Sequence, residues 1–269
     1  MPDSAAPPDP PPPGAPLEVA PYSALAIGYD RVMDYVDYEA WADYVHHVLG
    51  EHEDDAGTAS IHELGCGTGS LAAVLQPLGP YRYSGADGSA AMVEIARARA
   101  DRGEVEAAFA VADFADPAPG APFDAVLLLY DGLNYVVDPA ALGGLFGAAF
   151  AALRPGGLFV FDQSTPANSE NHEEDFEDEG EVDTPAGVFR YVRRSHYDRA
   201  ARLHETVFEI ETSAGRAVER HLERAYTMDE VQDAAEAAGF HVEAAYDGFS
   251  LDPADDDAER VHWVARRPA

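Results

Sequence analysis

A chain of 269 residues can bury a substantial core and suits one catalytic domain with an elaboration better than two full domains. With 50 acidic against 17 basic residues and a formal charge of −33, its surface repels phosphates, so nucleic acid is not an expected partner. The single cysteine excludes an intramolecular disulfide and a cysteine-based metal cluster within one chain.

Every basic side chain is arginine, and carboxylates are spread over nearly the whole length. That distribution reads as general surface adaptation, plausibly to high salt, and not as one partner site. The melting temperature is therefore expected to rise as salt is added from low ionic strength. A thermal melt unaffected by salt would remove this reading.

In chain order, residues 1–20 hold Pro7, Pro8 and Pro10 to Pro13 among small and acidic residues, a composition expected to form a disordered tail. The start has no basic segment followed by an apolar core, and no run reaches the length of a membrane span. A soluble cytoplasmic protein is expected. From Tyr22 to Leu49 apolar and aromatic residues fall at helical spacing, predicting one or two helices. Strands are then expected near 59–64, 81–86, 106–111, 123–130 and 157–163, alternating with helices near 69–77, 89–101 and 138–153. From 187 to 227 the period changes to two, predicting three antiparallel strands, 187–197, 202–212 and 217–227. Residues 173–181 read as an acidic loop, solvated or a lid. A helix over 229–239 and strands 241–248 and 260–266 complete the pattern. The fold class is α/β: a Rossmann-like, mainly parallel seven-stranded sheet with an antiparallel last strand, formed by 21–165 and 228–269. Residues 166–227 form a small antiparallel β insertion.

The most informative run is Ile-His-Glu-Leu-Gly-Cys-Gly-Thr-Gly-Ser, 61–70, at a predicted strand-to-helix turn. Glycines there permit positive φ and let the main chain press against a ligand. Gly65, Gly67 and Gly69 should contact a cofactor through their backbone, with Cys66 as a small filler in the same turn. A dinucleotide fingerprint would place its third glycine at position 70, which is serine. Glu63 would repel a pyrophosphate and welcome an ammonium or sulfonium. Polar residues recur after the later strands: Asp87, which can accept both ribose hydroxyls; Asp113 beside Phe114; and the Tyr130-Asp-Gly-Leu-Asn-Tyr135 stretch, where a second substrate would approach. Asp131 and Asn134 are the candidate catalytic residues, Asp131 for proton acceptance, though both could shape a turn. Asp162 could face a substrate or a buried donor. Arg190 and Arg194 share one strand face, where they could pair with Glu205, Glu209, Glu219 and Glu223 or capture an anionic substrate. The ten histidines show no metal-site spacing, so no metal is expected.

Glu-Leu-Gly-Cys-Gly-Thr-Gly resembles motif I of the class I S-adenosylmethionine (SAM) dependent methyltransferases. With the Tyr-Asp-x-Leu-Asn-Tyr stretch and the closing Glu-Arg-Val-His-Trp-Val-Ala, the chain looks like a small bacterial subgroup with an antiparallel cap after strand five, mostly of unassigned substrate. The resemblance implies SAM as cofactor, a small-molecule methyl acceptor, and transfer to a nitrogen or oxygen nucleophile by SN2 displacement. It implies that Asp87 holds the ribose and that Gly88 and Met92, with Asp113 and Phe114, line the adenine pocket. Tyr22 and Tyr29 would close over the methionine end, with Tyr130 near the cofactor. A noncatalytic SAM-binding regulator would keep the same cofactor residues, whereas an NAD-type oxidoreductase would need the missing glycine at 70.

Overall fold

The computed structural model describes residues 16–54, 56–171 and 175–269. Short strand β1 (Leu17–Val19) and helices α1 (Tyr29–Val32) and α2 (Tyr38–His52) come first. Then follow β2 (Ser60–Leu64), α3 (Ser70–Leu75), β3 (Arg82–Asp87), α4 (Ala90–Asp101), β4 (Ala107–Val111), β5 (Phe123–Leu128), α5 (Leu142–Ala152), β6 (Leu153–Ser164) and α6 (Pro166–Asn171). Strands β7 (Asp175–Thr184), β8 (Gly187–Asp198), β9 (Leu203–Thr212) and β10 (Gly215–Arg224) precede α7 (Met228–Ala237), β11 (His241–Asp247) and β12 (Arg260–Arg266).

The larger sheet has the order β11-β12-β6-β5-β2-β3-β4, and β12 runs antiparallel to both its neighbours. Its central strands are apolar on both faces because a helical layer covers each. Val45, Val48, Leu71, Leu75 and Val93 pack on one side; Leu145, Phe146, Val231 and Ala235 pack on the other. Strand β6 begins four residues before the predicted start at 157. Leu153 already pairs with Phe123, and a register shift between Phe123 and Ala125 accommodates the intervening residues.

The second sheet, β1-β10-β9-β8-β7, has five strands where the periodicity predicts three. Residues 175–181, read as a loop, belong to edge strand β7. Its sequence lacks apolar alternation, and it pairs instead through charges placed directly opposite: Glu177 with Arg194, Asp178 with Arg193, Glu181 with Arg190. Leu17–Val19, assigned by composition to the tail, pair in parallel with Ala217–Glu219 of β10; residues 1–15 of that tail and 173–174 of the acidic stretch lie outside the described residues. Leu25 and Val32 pack on Phe189, Phe208 and Ile210, fastening the N-terminal segment to this sheet.

Candidate active site

The carboxyl ends of β2 to β5, the segment 20–23 and the stretch after β5 enclose a cavity of about 640 Å³. At its floor Gly65 and Gly67 adopt φ of +67° and +53°, which a side chain would strain; Gly69, at φ +75° and expected to contact the cofactor, does not line the cavity and packs against Phe109 and Ala96. A Cβ on Gly67 would meet no atom within 4 Å, so this residue presents bare main chain to open space. Asp87 fixes the loop by accepting from Gly67 N–H at 2.9 Å and from Ser89 N–H at 2.7 Å. Ser89 in turn caps α4 through Met92 N–H. Thr68 Oγ1 donates to Asp30 Oδ1 at 2.6 Å, and Arg99 donates to the other oxygen of Asp30, tying the loop to α1.

Glu63 is buried below the loop and accepts from Tyr83 Oη at 2.9 Å. Burial pushes its carboxyl up to about 8; the Tyr83 hydrogen bond opposes the rise and the Asp87 charge adds to it. Burial, with Glu63 and Asp87 nearby, also pushes the Cys66 thiol upward, so it stays protonated and inert. Phe114 reaches over Gly65, and Asp113, Gly88 and Met92 join it along the wall. The lining carries four carboxylates, Glu63, Asp87, Asp113 and Asp138, and among the described residues no arginine or histidine. Such a cavity disfavours a pyrophosphate and suits a cation.

At the opposite end Tyr22, Tyr29, Tyr38, Tyr130 and Tyr135 form an aromatic wall. Tyr130 and Asp131 have consecutive φ values of +60° and +63°, a strained pair for residues with side chains. The Tyr130 ring is held 4.3 Å from Trp41 and 5.2 Å from Tyr38, centroid to centroid. Its hydroxyl is buried and has no hydrogen-bond partner among the described residues.

The two candidate catalytic side chains are otherwise engaged. Asp131 pairs with Arg260 at 2.8 Å and its N–H donates to Asp162, which Arg260 also binds; neither Asp131 nor Asp162 lines the cavity. Asn134 is buried and donates to the carbonyls of Ser164 and Arg224 while accepting from Ser164 N–H, so it ties β6 to β10. Arg190 and Arg194 lie exposed on the outer face of β8, bonded to Glu181 and to Glu177 and Glu209. Of their four expected partners only Glu209 pairs with either; Glu205 pairs with Arg220. Glu219 is buried against the N-terminal segment, and Glu223 faces Tyr135 and Asp131. Sequence reasoning overlooked Tyr135, Glu219, His221, Glu223 and Arg260. The readable signal was the alternation 219-221-223, three polar residues on one face of a strand whose sheet turns that face inward.

A glycine-loop cavity at the strand ends of a Rossmann-like sheet, acidic and, among the described residues, without arginine or histidine on its wall, fits a cationic, phosphate-free nucleoside cofactor. Residues 61–157 match the model of the methyltransferase domain family. A Geobacillus sp. (strain WCH70) protein with methyltransferase in its name is 26% identical over 91% of this chain and 99% of its own length. A SAM-dependent methyltransferase from Clostridium acetobutylicum ATCC 824 superposes with a TM-score of 0.73 at 21% identity, covering 90% of this chain and 96% of that one. The sugar N-methyltransferase KedS8 from Streptoalloteichus sp ATCC 53650 superposes with a TM-score of 0.69 at 23% identity, covering 99% and 100%. Over residues 61–157 the chain thus carries the methyltransferase domain, and over most of its length it shares the fold of SAM-dependent methyltransferases.

Proposed function

We propose that the protein transfers the methyl group of SAM to a nitrogen or oxygen nucleophile of a small molecule held in this cavity. The observation that carries this reading is the cavity itself: a glycine-loop floor, a wall of tyrosines, and a lining with four carboxylates and, among the described residues, no arginine or histidine. The resemblance to a sugar N-methyltransferase over the whole chain favours an amino group on a sugar-sized acceptor.

In this reading the backbone of Gly65 and Gly67 cradles the cofactor, Gly69 makes the turn into α3, Asp87 accepts from the ribose hydroxyls, and Gly88, Met92, Asp113 and Phe114 surround the adenine. Glu63, Tyr22, Tyr29 and Tyr130 enclose the methionine end, with Cys66 packing beneath the loop. The bound sulfonium supplies an electrophilic methyl group; the protein's part is to align the acceptor and exclude water. Asp131, Asn134 and Asp162 act by holding the loop after β5 in place and do not touch the acceptor. Arg190 and Arg194 serve the outer face of the sheet.

Calorimetric titration should give binding with SAM and none with NAD, and failure to bind SAM would end this reading. Affinity should also rise with pH between about 6 and 8. The free protein holds Glu63 protonated up to about pH 8, a nearby cation lowers that value, and binding therefore releases a proton in this window. Glu63→Gln should flatten the dependence. Formation of S-adenosylhomocysteine from SAM with a panel of small amines, hydroxyls and acids, D-glucosamine among them, would test transfer.

A further inference from the structure

On the inner face of β10 stand Glu219, His221 and Glu223, alternate residues that all point toward the cavity wall. Glu219 is fully buried, yet one of its oxygens accepts from Ala24 and Leu25 N–H and the other from Tyr22 N–H. Its second oxygen also lies 3.1 Å from His221 Nε2. Burial opposes a charge there, but the hydrogen bonds from His221 and the three N–H groups hold the carboxyl below its ordinary range. An ionised Glu219 can only accept, so His221 carries its proton on Nε2 and its Nδ1 is a lone pair.

That lone pair faces Tyr135 Oη at 3.1 Å, and Tyr135 Oη lies 2.5 Å from Tyr22 Oη. Tyr135 has one proton to give. Two acceptors compete for it, Glu223 and His221 Nδ1; given to His221, it leaves Tyr135 to accept from Tyr22, and both tyrosines line the cavity. The rings are packed together: Tyr22 sits edge-on to His221 with centroids 4.7 Å apart, and the Phe208 ring lies 5.3 Å from that of His221. A four-membered chain with one polarity thus runs from a buried carboxylate to the acceptor end of the cavity.

We propose that Glu219, His221, Tyr135 and Tyr22 form a proton relay that takes a proton from the methyl acceptor and delivers it to His221 Nδ1. The inference rests on the transfer reading above. As the nucleophile's lone pair forms the new bond to carbon and the C–S electron pair leaves with sulfur, the proton on the nucleophile passes to Tyr22 Oη. The Tyr22 proton moves to Tyr135 and the Tyr135 proton to His221, which becomes an imidazolium paired with Glu219. Release to water resets the chain. Both phenols begin and end neutral, as their raised affinity for protons requires. The arrangement is that of a carboxylate-oriented histidine base, extended by two hydroxyls. The other charged groups nearest the chain are Glu223, which faces Tyr135 from the same strand, and Asp87 and Asp131, which act on Tyr22 from β3 and from the loop after β5.

The first test reads the chain's polarity without an acceptor. In 15N-histidine NMR spectra of the full-length protein saturated with S-adenosylhomocysteine at pH 7.5, His221 should be the Nε2–H tautomer. Tyr135→Phe should shift its Nδ1 resonance and Glu219→Gln should alter the tautomer balance. An Nδ1–H tautomer overturns the proposal whether or not an acceptor has been found. Failure of S-adenosylhomocysteine to bind instead removes the underlying cofactor reading. With D-glucosamine as the probe amine, Tyr135→Phe and His221→Gln should each lower kcat at least tenfold at pH 7. KM for SAM should stay within threefold, and the acid limb of the pH profile should move to the acceptor's own ammonium pKa. A pH profile that moves in Glu223→Gln and stays fixed in both relay variants would place the proton on Glu223 and overturn the proposal.

Discussion

An Asp87→Ala variant is expected to bind SAM two to three orders of magnitude more weakly than the parent protein while remaining folded. The carboxylate at the end of β3 has two tasks. It accepts from Gly67 and Ser89 N–H, which sets the glycine loop against the first turn of α4, and its outward side is proposed to accept from the two ribose hydroxyls. Each hydrogen bond to a charged group contributes about 1.5–3 kcal/mol. At the lower end of that range, fitting a carboxylate shared with two N–H groups, losing a pair costs about 3–4 kcal/mol, or roughly 10²–10³ in affinity. The fold should tolerate the change because α4 keeps its own cap from Ser89 and β3 keeps its pairing with β2 and β4. Asp87→Asn, which retains one accepting oxygen, should lose only about tenfold. Calorimetry for binding and circular dichroism for folding separate the two effects. Unchanged affinity in Asp87→Ala would remove this residue from the cofactor site.

Arg260→Met should produce the largest loss of stability, about 3–5 kcal/mol. The guanidinium sits between Asp131 and Asp162, packs 5.5 Å above the Trp41 ring, and is the cation that faces the fully buried Asp162 carboxyl. Removing it leaves that carboxyl unpaired. Burial already pushes Asp162 above the ordinary carboxylate range, Arg260 opposes the rise, and Asp131 adds to it. Without Arg260 the folded-state value climbs further, so folding favours the protonated acid and stability falls as pH rises. The defect should therefore be greater at pH 8 than at pH 5, measured as the difference in melting temperature between variant and parent. A defect that grew toward acid pH would show that Asp162 is not the group left unpaired. The same variant should loosen the Tyr130-Asp131 turn, whose left-handed backbone is braced by the Asp131 N–H to Asp162 bond.

The glycine-loop side of this cavity was legible in sequence because each of its parts is local. The glycine spacing, the acid at the end of each strand and the switch from apolar to polar residues can all be read within ten residues, and Glu63, Asp87, Asp113, Phe114 and Met92 all line the cavity. The other half depends on contacts that no local pattern encodes. Asn134 has the composition of a catalytic residue, but only the meeting of β6 with β10 reveals that its amide is used up by backbone. Asp131 looks like a free base until Arg260, 129 residues away, is placed beside it. His221 looked like one of ten scattered histidines because its partners, Tyr22 and Tyr135, come from segments far from it in sequence. Strand β7 escaped detection for another reason: hydrophobic periodicity does not report an edge held by ion pairs.

Glu219 also bears on how specificity could change between relatives. Its carboxylate bonds the backbone at Tyr22, Ala24 and Leu25 and the ring of His221, joining residues 17–25 to β10 as one piece. The glycine loop, Asp87 and Asp113 lie within the matched family segment at 61–157, whereas this piece lies wholly outside it. The fold thus separates a glycine-loop half, contained in the matched segment, from a half assembled out of two distant stretches. Grafting either stretch alone from a relative would strand the other's hydrogen bonds, so the N-terminal segment and β10 are exchangeable only together.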